Sequence, residues 1–388
     1  MKRRAKNILI NIGLVFVSLA CMSMLTEAAF RFFNPQTSRS FQFDPVIGYR
    51  REPGLFISNV GNKYAVQKHV NSAGFMDREW NKIKPEGVTR IVVLGDSMTE
   101  AIQVENGADF QSILEKKLIQ RGNKVEVLNF GLSGQNTAQE YLTLKEYALA
   151  YRPDIAIIVS TITNDTFENH PKLNGRAYVP YILFDGENEQ FQPPIDPSYG
   201  FVIDYLRSHS HLVRWAMSRA YDIRQYMQGL SSDTSQKNNQ TIPVFFQNFL
   251  KERDTAWDEA WIINQKLFEH MKKFTDQNHI PLIAVVIPDQ TQIYDSEWEA
   301  KFNKAKLEFP KLATVDNSSI DHEDPNRRYD AIFNNAKILH IDFLELFRAR
   351  HNEQLYAQND VHLNEHGHEY VAETIKAFLI ENDVGDLR

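Results

Sequence analysis

The sequence predicts an α/β fold in which a parallel sheet carries helices on both faces. Three observations support this. From Arg90 onward, short apolar runs alternate with segments of helical periodicity. The first run, Ile91-Val92-Val93-Leu94, stops abruptly at Gly95-Asp96-Ser97. A later run, Ile155–Thr161, is almost unbroken, as in strands buried on both faces. Such units form right-handed crossovers around a parallel sheet. Sheets of this kind place ligands at the carboxyl ends of their strands. The residues that follow each run are therefore the candidates for chemistry.

The chain has 388 residues, 43% hydrophobic and 24% charged, an ordinary globular composition with room for one large domain with insertions, or two. A net charge of −7, with no basic run beyond Lys2-Arg3-Arg4, argues against nucleic acid as a partner. Cys21 is the only cysteine, so no intrachain disulfide can form.

Lys2, Arg3, Arg4 and Lys6 precede an uncharged stretch from Ile8 to Thr26. At about 1.5 Å per residue this stretch comes close to spanning a hydrocarbon core of about 30 Å. Positive charge before it places the N-terminus in the cytoplasm and the remainder outside. Residues 1–31 are thus expected to be a cytoplasmic stub and transmembrane signal anchor, with the membrane as a partner and the main domain periplasmic or at the cell surface. The alternatives are a signal peptide cut after Ala28, a lipoprotein signal at Cys21, and a buried helix of the soluble domain.

Residues 32–88 hold Asn34-Pro35, Asp44-Pro45, Gly48, Pro53-Gly54 and Gly74, and read as a stalk and N-terminal extension with short strands or turns. The main domain is expected over 89–383. Ile91–Gly95 is the first strand, and Asp109–Gln120 has helical spacing. Val125–Phe130 is the second strand. Thr137–Tyr151 reads as a helix with a Thr137/Glu140 capping box. Ile155–Thr161 is the third strand. Thr255–Asn278 reads as a long amphipathic helix, again with a capping box, in Thr255 and Asp258. Ile280–Ile287 and Ile338–Phe343 complete the sheet, and Leu363–Glu381 supplies a closing helix. Between strands three and four the rhythm is lost. Residues 167–254, rich in Tyr, Phe, Asn and Pro, form an insertion with a helix expected over His209–Gln228.

Four loops carry chemistry. Ser97 follows the first strand. Gly131-Leu132-Ser133-Gly134-Gln135-Asn136-Thr137 follows the second, and Thr161-Ile162-Thr163-Asn164-Asp165 the third. Asp360-Val361-His362 precedes the last helix. A serine hydroxyl is a weak nucleophile without a base and oxyanion donors. These loops supply the parts for acyl transfer: Ser97 to attack, His362 as base, Asp360 to orient it. The oxyanion donors are the backbone N–H groups of Ser97 and Gly134 and the Asn164 amide. Catalysis of this kind needs no cofactor and no metal.

The four blocks, in this order and spacing, resemble the SGNH (GDSL-like) hydrolase superfamily over residues 88 to 382. The Phe43–Gly54 and Asn71–Trp80 stretches and the anchor resemble its membrane-anchored bacterial members. The resemblance implies a three-layer α/β/α sandwich with a five-stranded parallel sheet, flavodoxin-like in plan. It also implies metal-free ester hydrolysis or O-acyl transfer through Ser97, Gly134, Asn164 and His362. Two departures stand out. Ile162-Thr163-Asn164-Asp165 lacks the usual glycine of block three. Asp360-Val361-His362 is one residue shorter than the usual Asp-x-x-His, and Asn359 occupies the usual spacing.

The expected function is a serine esterase acting on O-acyl esters, with O-acylated cell-envelope or exopolysaccharide carbohydrate as the candidate substrate. A glycan O-acyltransferase and an inactive binding or assembly protein of the same fold are the alternatives. His362-Leu363-Asn364-Glu365-His366 also matches an inverted zinc-protease signature, but Gly367 follows at once and the match overlaps the expected start of the last helix rather than the middle of a continuous one, as such a site requires. His366 and His368 are expected to be solvated first-turn residues.

Overall fold

The computed structural model describes residues 2–33, 41–60, 64–197, 203, 205–206, 209–217, 219–220, 242–358 and 360–387. The chain divides into two compact units, Met1–Ser40 with Pro197–Ser235, and Phe41–Asp196 with Gln236–Arg388.

In the first unit, one helix spans Lys2–Phe33. Its segment Ile10–Phe33 has a mean hydropathy of 1.8 and none of it is buried. Near its end, the Glu27 carboxylate accepts from the backbone N–H groups of His211 at 3.0 Å and Leu212 at 2.9 Å, and from the Ser210 hydroxyl at 2.8 Å. Those donors have no partner within the helical residues 211–217, so Glu27 caps that segment. The expected helix over His209–Gln228 is seen here in part; residues 221–228 lie outside the described ones.

The second unit opens with two antiparallel hairpins in the segment read as stalk and extension. Strand β1 (Phe41–Asp44) pairs with β2 (Gly48–Arg51), and β3 (Phe56–Val60) with β4 (Tyr64–His69). The sheet begins with β5 (Thr89–Gly95), β6 (Val125–Gly131) and β7 (Ile155–Thr161). A third hairpin, β8 (Tyr181–Asp185) with β9 (Asn188–Gln192), lies in the insertion. Strands β10 (Leu282–Ile287) and β11 (Leu339–Asp342) complete the sheet, whose order is β11-β10-β7-β5-β6, all parallel.

Alternation along each strand divides the core into two layers. Val92, Leu94, Ala156, Ile158, Ala284 and Val286 face one side, where Ala138, Trp257, Phe268 and Phe333 pack. Ile91, Val93, Ile157, Val159, Ile283 and Val285 face the other, with Leu114, Leu118, Val371 and Ile375. Helices Thr137–Glu146, Thr255–Gln277 and Asp324–Ala336 thus cover one face, and Phe110–Gln120 and Glu365–Glu381 the other. This is the three-layer α/β/α sandwich.

Three local expectations need correction. The capping box opens at Asn136 with Gln139, one residue before Thr137 and Glu140. Both Asn and Thr cap well, and Asn136 is the one with extended backbone (φ −102°, ψ 170°). The helix Thr255–Gln277 has Asp254 at its cap and no side-chain cap bond, so the Thr255/Asp258 box is not formed. His368 is buried rather than solvated, because the first turn of its helix packs against Phe110 with ring centroids 5.9 Å apart.

Candidate active site

Chain order sends β6 to one side of β5 and β7 to the other, so the crevice at their carboxyl ends is a topological switch point. Gly95 pairs with both Gly131 and Val159, which brings the loops after β5, β6 and β7 to one edge. The chain then turns at once into the single helical turn Ser97–Glu100. The Asp96 carboxylate caps it, accepting from Met98 N–H at 2.9 Å. Glycine is required on the neighbouring strand, since a Cβ at Gly131 would lie 2.5 Å from the Glu100 nitrogen.

Ser97 Oγ lies 2.9 Å from His362 Nε2. The other ring nitrogen, Nδ1, meets the Asp360 carboxylate. A carboxylate can only accept, so Nδ1 carries the proton and Nε2 is left to accept from the serine hydroxyl. The short Asp360-Val361-His362 spacing is sterically sufficient, because the loop curls back on itself. Ala357 N–H donates to His362 O at 2.8 Å, and Asp360 N–H to Ala357 O at 3.1 Å. Asn359 lies outside the described residues. His366 bonds Glu353 at 2.6 Å, so the two histidines of the zinc-like signature serve different partners.

On the other side of Ser97, Gly134 has φ +76°, a left-handed conformation that suits glycine. Its loop is fixed by side chains from distant segments. Glu100 Oε2 accepts from Ser133 N–H at 3.1 Å and also from the Ser133 hydroxyl. Arg51 holds Glu100 in a buried bidentate fork, at 2.7 and 2.8 Å. That guanidinium holds the Glu100 carboxyl below its ordinary range despite full burial. Tyr49 donates its hydroxyl to Ser133 O at 2.9 Å, and Arg176 donates to Gly134 O at 3.3 Å. Among the described residues, the backbone N–H groups of Ser97 and Gly134 have no protein acceptor.

Asn164 begins the turn after β7. Its Oδ1 accepts from the hydroxyls of Thr161 and Thr163, both at 2.8 Å. This leaves Nδ2 turned toward the Glu168 carboxylate at 3.4 Å, and the amide also faces Asp96. Glu168 in turn pairs with Arg176 at 2.6 Å. Burial pushes the Glu168 carboxyl up to about 7, against the opposing pull of Arg176.

Beneath the loops lies a set of buried carboxyls. Glu140 is fully buried and, among the described residues, neither oxygen has a hydrogen-bond partner. Burial, and then the charge of Asp96, raise it well above the ordinary carboxyl range. Asp165 is raised likewise, by burial and by Asp96 and Glu140. Burial also raises Asp96 itself, although Met98 N–H and the Thr161 hydroxyl oppose the shift.

Of the residues singled out from sequence, Ser97, His362 and Asp360 form one hydrogen-bonded series, and Gly134 and Asn164 stand at the same sheet edge. Tyr49, Arg51, Glu100, Glu168 and Arg176 were not singled out. The first two lie in the Phe43–Gly54 stretch whose resemblance was noted as a whole, in Gly48-Tyr49-Arg50-Arg51 beside a glycine turn.

A hydroxyl, an imidazole and a carboxylate in series at the carboxyl edge of a parallel sheet define a class of protein, the serine-type acyl hydrolases. Residues 91–187 match the family model described as GDSL-like Lipase/Acylhydrolase, a family of ester hydrolases. Among solved structures, a lipase/acylhydrolase from Enterococcus faecalis is similar at 12% identity, covering 77% of this chain and 97% of that one with a TM-score of 0.36. The lipase Lip_vut3 from a goat rumen metagenome is similar at 14% identity, covering 77% and 100%, TM-score 0.37. The acetyl xylan esterase AlAXEase is similar at 14% identity, covering 74% and 98%, TM-score 0.35. No curated protein matches the sequence.

Proposed function

We propose that this chain is a serine esterase that removes O-acyl groups, of acetyl type, from cell-envelope or exopolysaccharide carbohydrate outside the cytoplasm. The single observation that carries the reading is the series Ser97–His362–Asp360, with its 2.9 Å contact between Oγ and Nε2. In the first half-reaction Ser97 Oγ attacks the ester carbonyl carbon while His362 Nε2 takes the hydroxyl proton. The oxyanion of the tetrahedral intermediate is met by the free N–H groups of Ser97 and Gly134. The Asn164 amide joins them by exchanging its long contact with Glu168 for the oxyanion. Collapse expels the alkoxide, which takes the proton from the imidazolium. Water then attacks the acyl-serine by the same route, releasing the acid and restoring the hydroxyl.

The location rests on the exposed apolar helix and the four basic residues at its start. In this reading residues 1–31 are stub and anchor, 32–88 the stalk and extension, and 89–383 the hydrolase domain with its insertion at 167–254. The carbohydrate part is supported by the surroundings of Gly134. Tyr178, 39% exposed, stands 6.2 Å from Tyr49 and beside the half-buried Arg176, an aromatic and polar rim suited to a sugar.

The test uses the full chain in detergent micelles with 4-nitrophenyl acetate and an acetylated polysaccharide. Wild type releases free acetate and reacts at Ser97 with a fluorophosphonate probe, whereas Ser97→Ala does neither. Equal turnover by the two proteins ends the serine mechanism. Acetate recovered on an added sugar acceptor, rather than free, assigns the site to transfer.

A further inference from the structure

The hairpin of β1 and β2 lies outside the matched segment and far along the chain from Ser97, yet it reaches the oxyanion side of the site. Tyr49 on β2 is buried, its ring against Phe41 at 4.8 Å, and its hydroxyl donates to Ser133 O at 2.9 Å. That carbonyl and the Gly134 N–H belong to one peptide unit. The unit is planar and trans, so its C=O and N–H point in opposite directions. Fixing the carbonyl on one side therefore aims the N–H on the other. Glu100, itself held by Arg51, fixes the preceding Ser133 N–H, and Arg176 the following Gly134 carbonyl. Among the described residues, only the bond from Tyr49 acts on the peptide unit that carries the donor.

We propose that Tyr49 is a positioning residue for ester hydrolysis, its hydroxyl holding the Ser133–Gly134 peptide so that the Gly134 N–H faces the developing oxyanion. The inference rests on the serine-esterase reading and on Gly134 as a donor within it. A left-handed glycine is the most easily rotated residue in the loop, so without the clamp its neighbouring peptide is the one to swing. The hairpin has other attachments. Ile47 O accepts from Gln139 at 2.6 Å, and the Asp44 carboxylate accepts from the Tyr147 hydroxyl at 2.6 Å. Losing one hydroxyl therefore leaves the hairpin seated.

The variant is Tyr49→Phe in the full chain, assayed with 4-nitrophenyl acetate. Its kcat is expected to fall about tenfold, short of the 10²–10³ lost when an oxyanion donor is deleted. KM is expected to stay within about twofold, because the clamp acts on the transition state. Inhibition by phenylboronic acid, whose serine adduct is tetrahedral, should weaken by about the same tenfold, with an unchanged melting temperature and near-UV spectrum. A merely structural role would shift the melt and leave the boronate constant unchanged. A wild type that turns over ester with a Tyr49→Phe variant that matches it in kcat and boronate inhibition overturns the positioning alone. A wild type that turns over no ester and is not labelled at Ser97 overturns the esterase reading, and this inference with it.

Discussion

On one side of Ser97, His362 and Asp360 sit two residues apart in one loop and hold each other directly. On the other side, the Ser133–Gly134 peptide and Asn164 are held by Tyr49, Glu100, Glu168 and Arg176, with Arg51 behind Glu100. Tyr49 bonds a residue 84 positions away, and Arg51 one that is 49 away. In the proposed reading the base side is thus a local device and the oxyanion side a tertiary one. The local device can be judged from a few adjacent residues. The tertiary one exists only when the whole domain has folded, so a change that unseats the hairpin removes the clamps as well.

The comparison can be broken most forcefully on the base side. His362→Ala should lower kcat by about 10⁴–10⁶ with no change in the melting temperature, as measured by steady-state kinetics and a thermal melt. Asp360→Ala should lower kcat by about 10⁴, again in a protein of unchanged stability. A large loss of stability in either variant would contradict the local character of this loop. On the oxyanion side, Asn164→Ala should lower kcat by about 10²–10³ with KM nearly constant.

Arg51→Ala should act through the fold first. It strands the buried Glu100 carboxylate and is expected to cost about 3–5 kcal/mol in urea unfolding. Unaltered stability would show that the hairpin is dispensable. The smallest effect concerns the buried carboxyls. Glu168 is raised to about 7 and Glu140 is raised well above the model-compound value of 4.5. A carboxyl with a raised folded pKa gives its full stabilisation below its unfolded value, and the gain is lost as pH rises through the folded value. The fold should therefore weaken as pH rises from about 4.5 through neutrality. Glu140→Gln, which cannot ionise, should flatten that decline. Identical urea-melt profiles across this range would show that the Glu140 carboxyl is not raised in the fold.

The sheet and the four chemistry-bearing loops were legible because each is encoded by contiguous residues. Ile155–Thr161 is one apolar run, and its strand has those same bounds. Gly95-Asp96-Ser97 states in three residues that a buried strand ends on a hydroxyl. The pairing of Asp360 with His362 was legible for a similar reason, since the two are near neighbours. The clamps were not. A tyrosine and an arginine in a short hairpin give no local sign that one will bond a loop carbonyl and the other a buried glutamate. The cap of Thr137–Glu146 was misplaced by one residue because Asn136 and Thr137 have similar capping chemistry, and only the backbone decides between them. His368 read as solvated because its burial depends on Phe110, more than 250 residues earlier in the chain.

The adjacency of Asp360 and His362 has a consequence for motion. Base and orienting carboxylate ride on one loop, so a displacement of that loop carries both away from the serine together. The imidazole keeps its tautomer throughout, and only the gap between Nε2 and Oγ opens. In that case the closed and open gap are the two ends of one mechanical coordinate. An exchange-protected imidazole proton should persist across both.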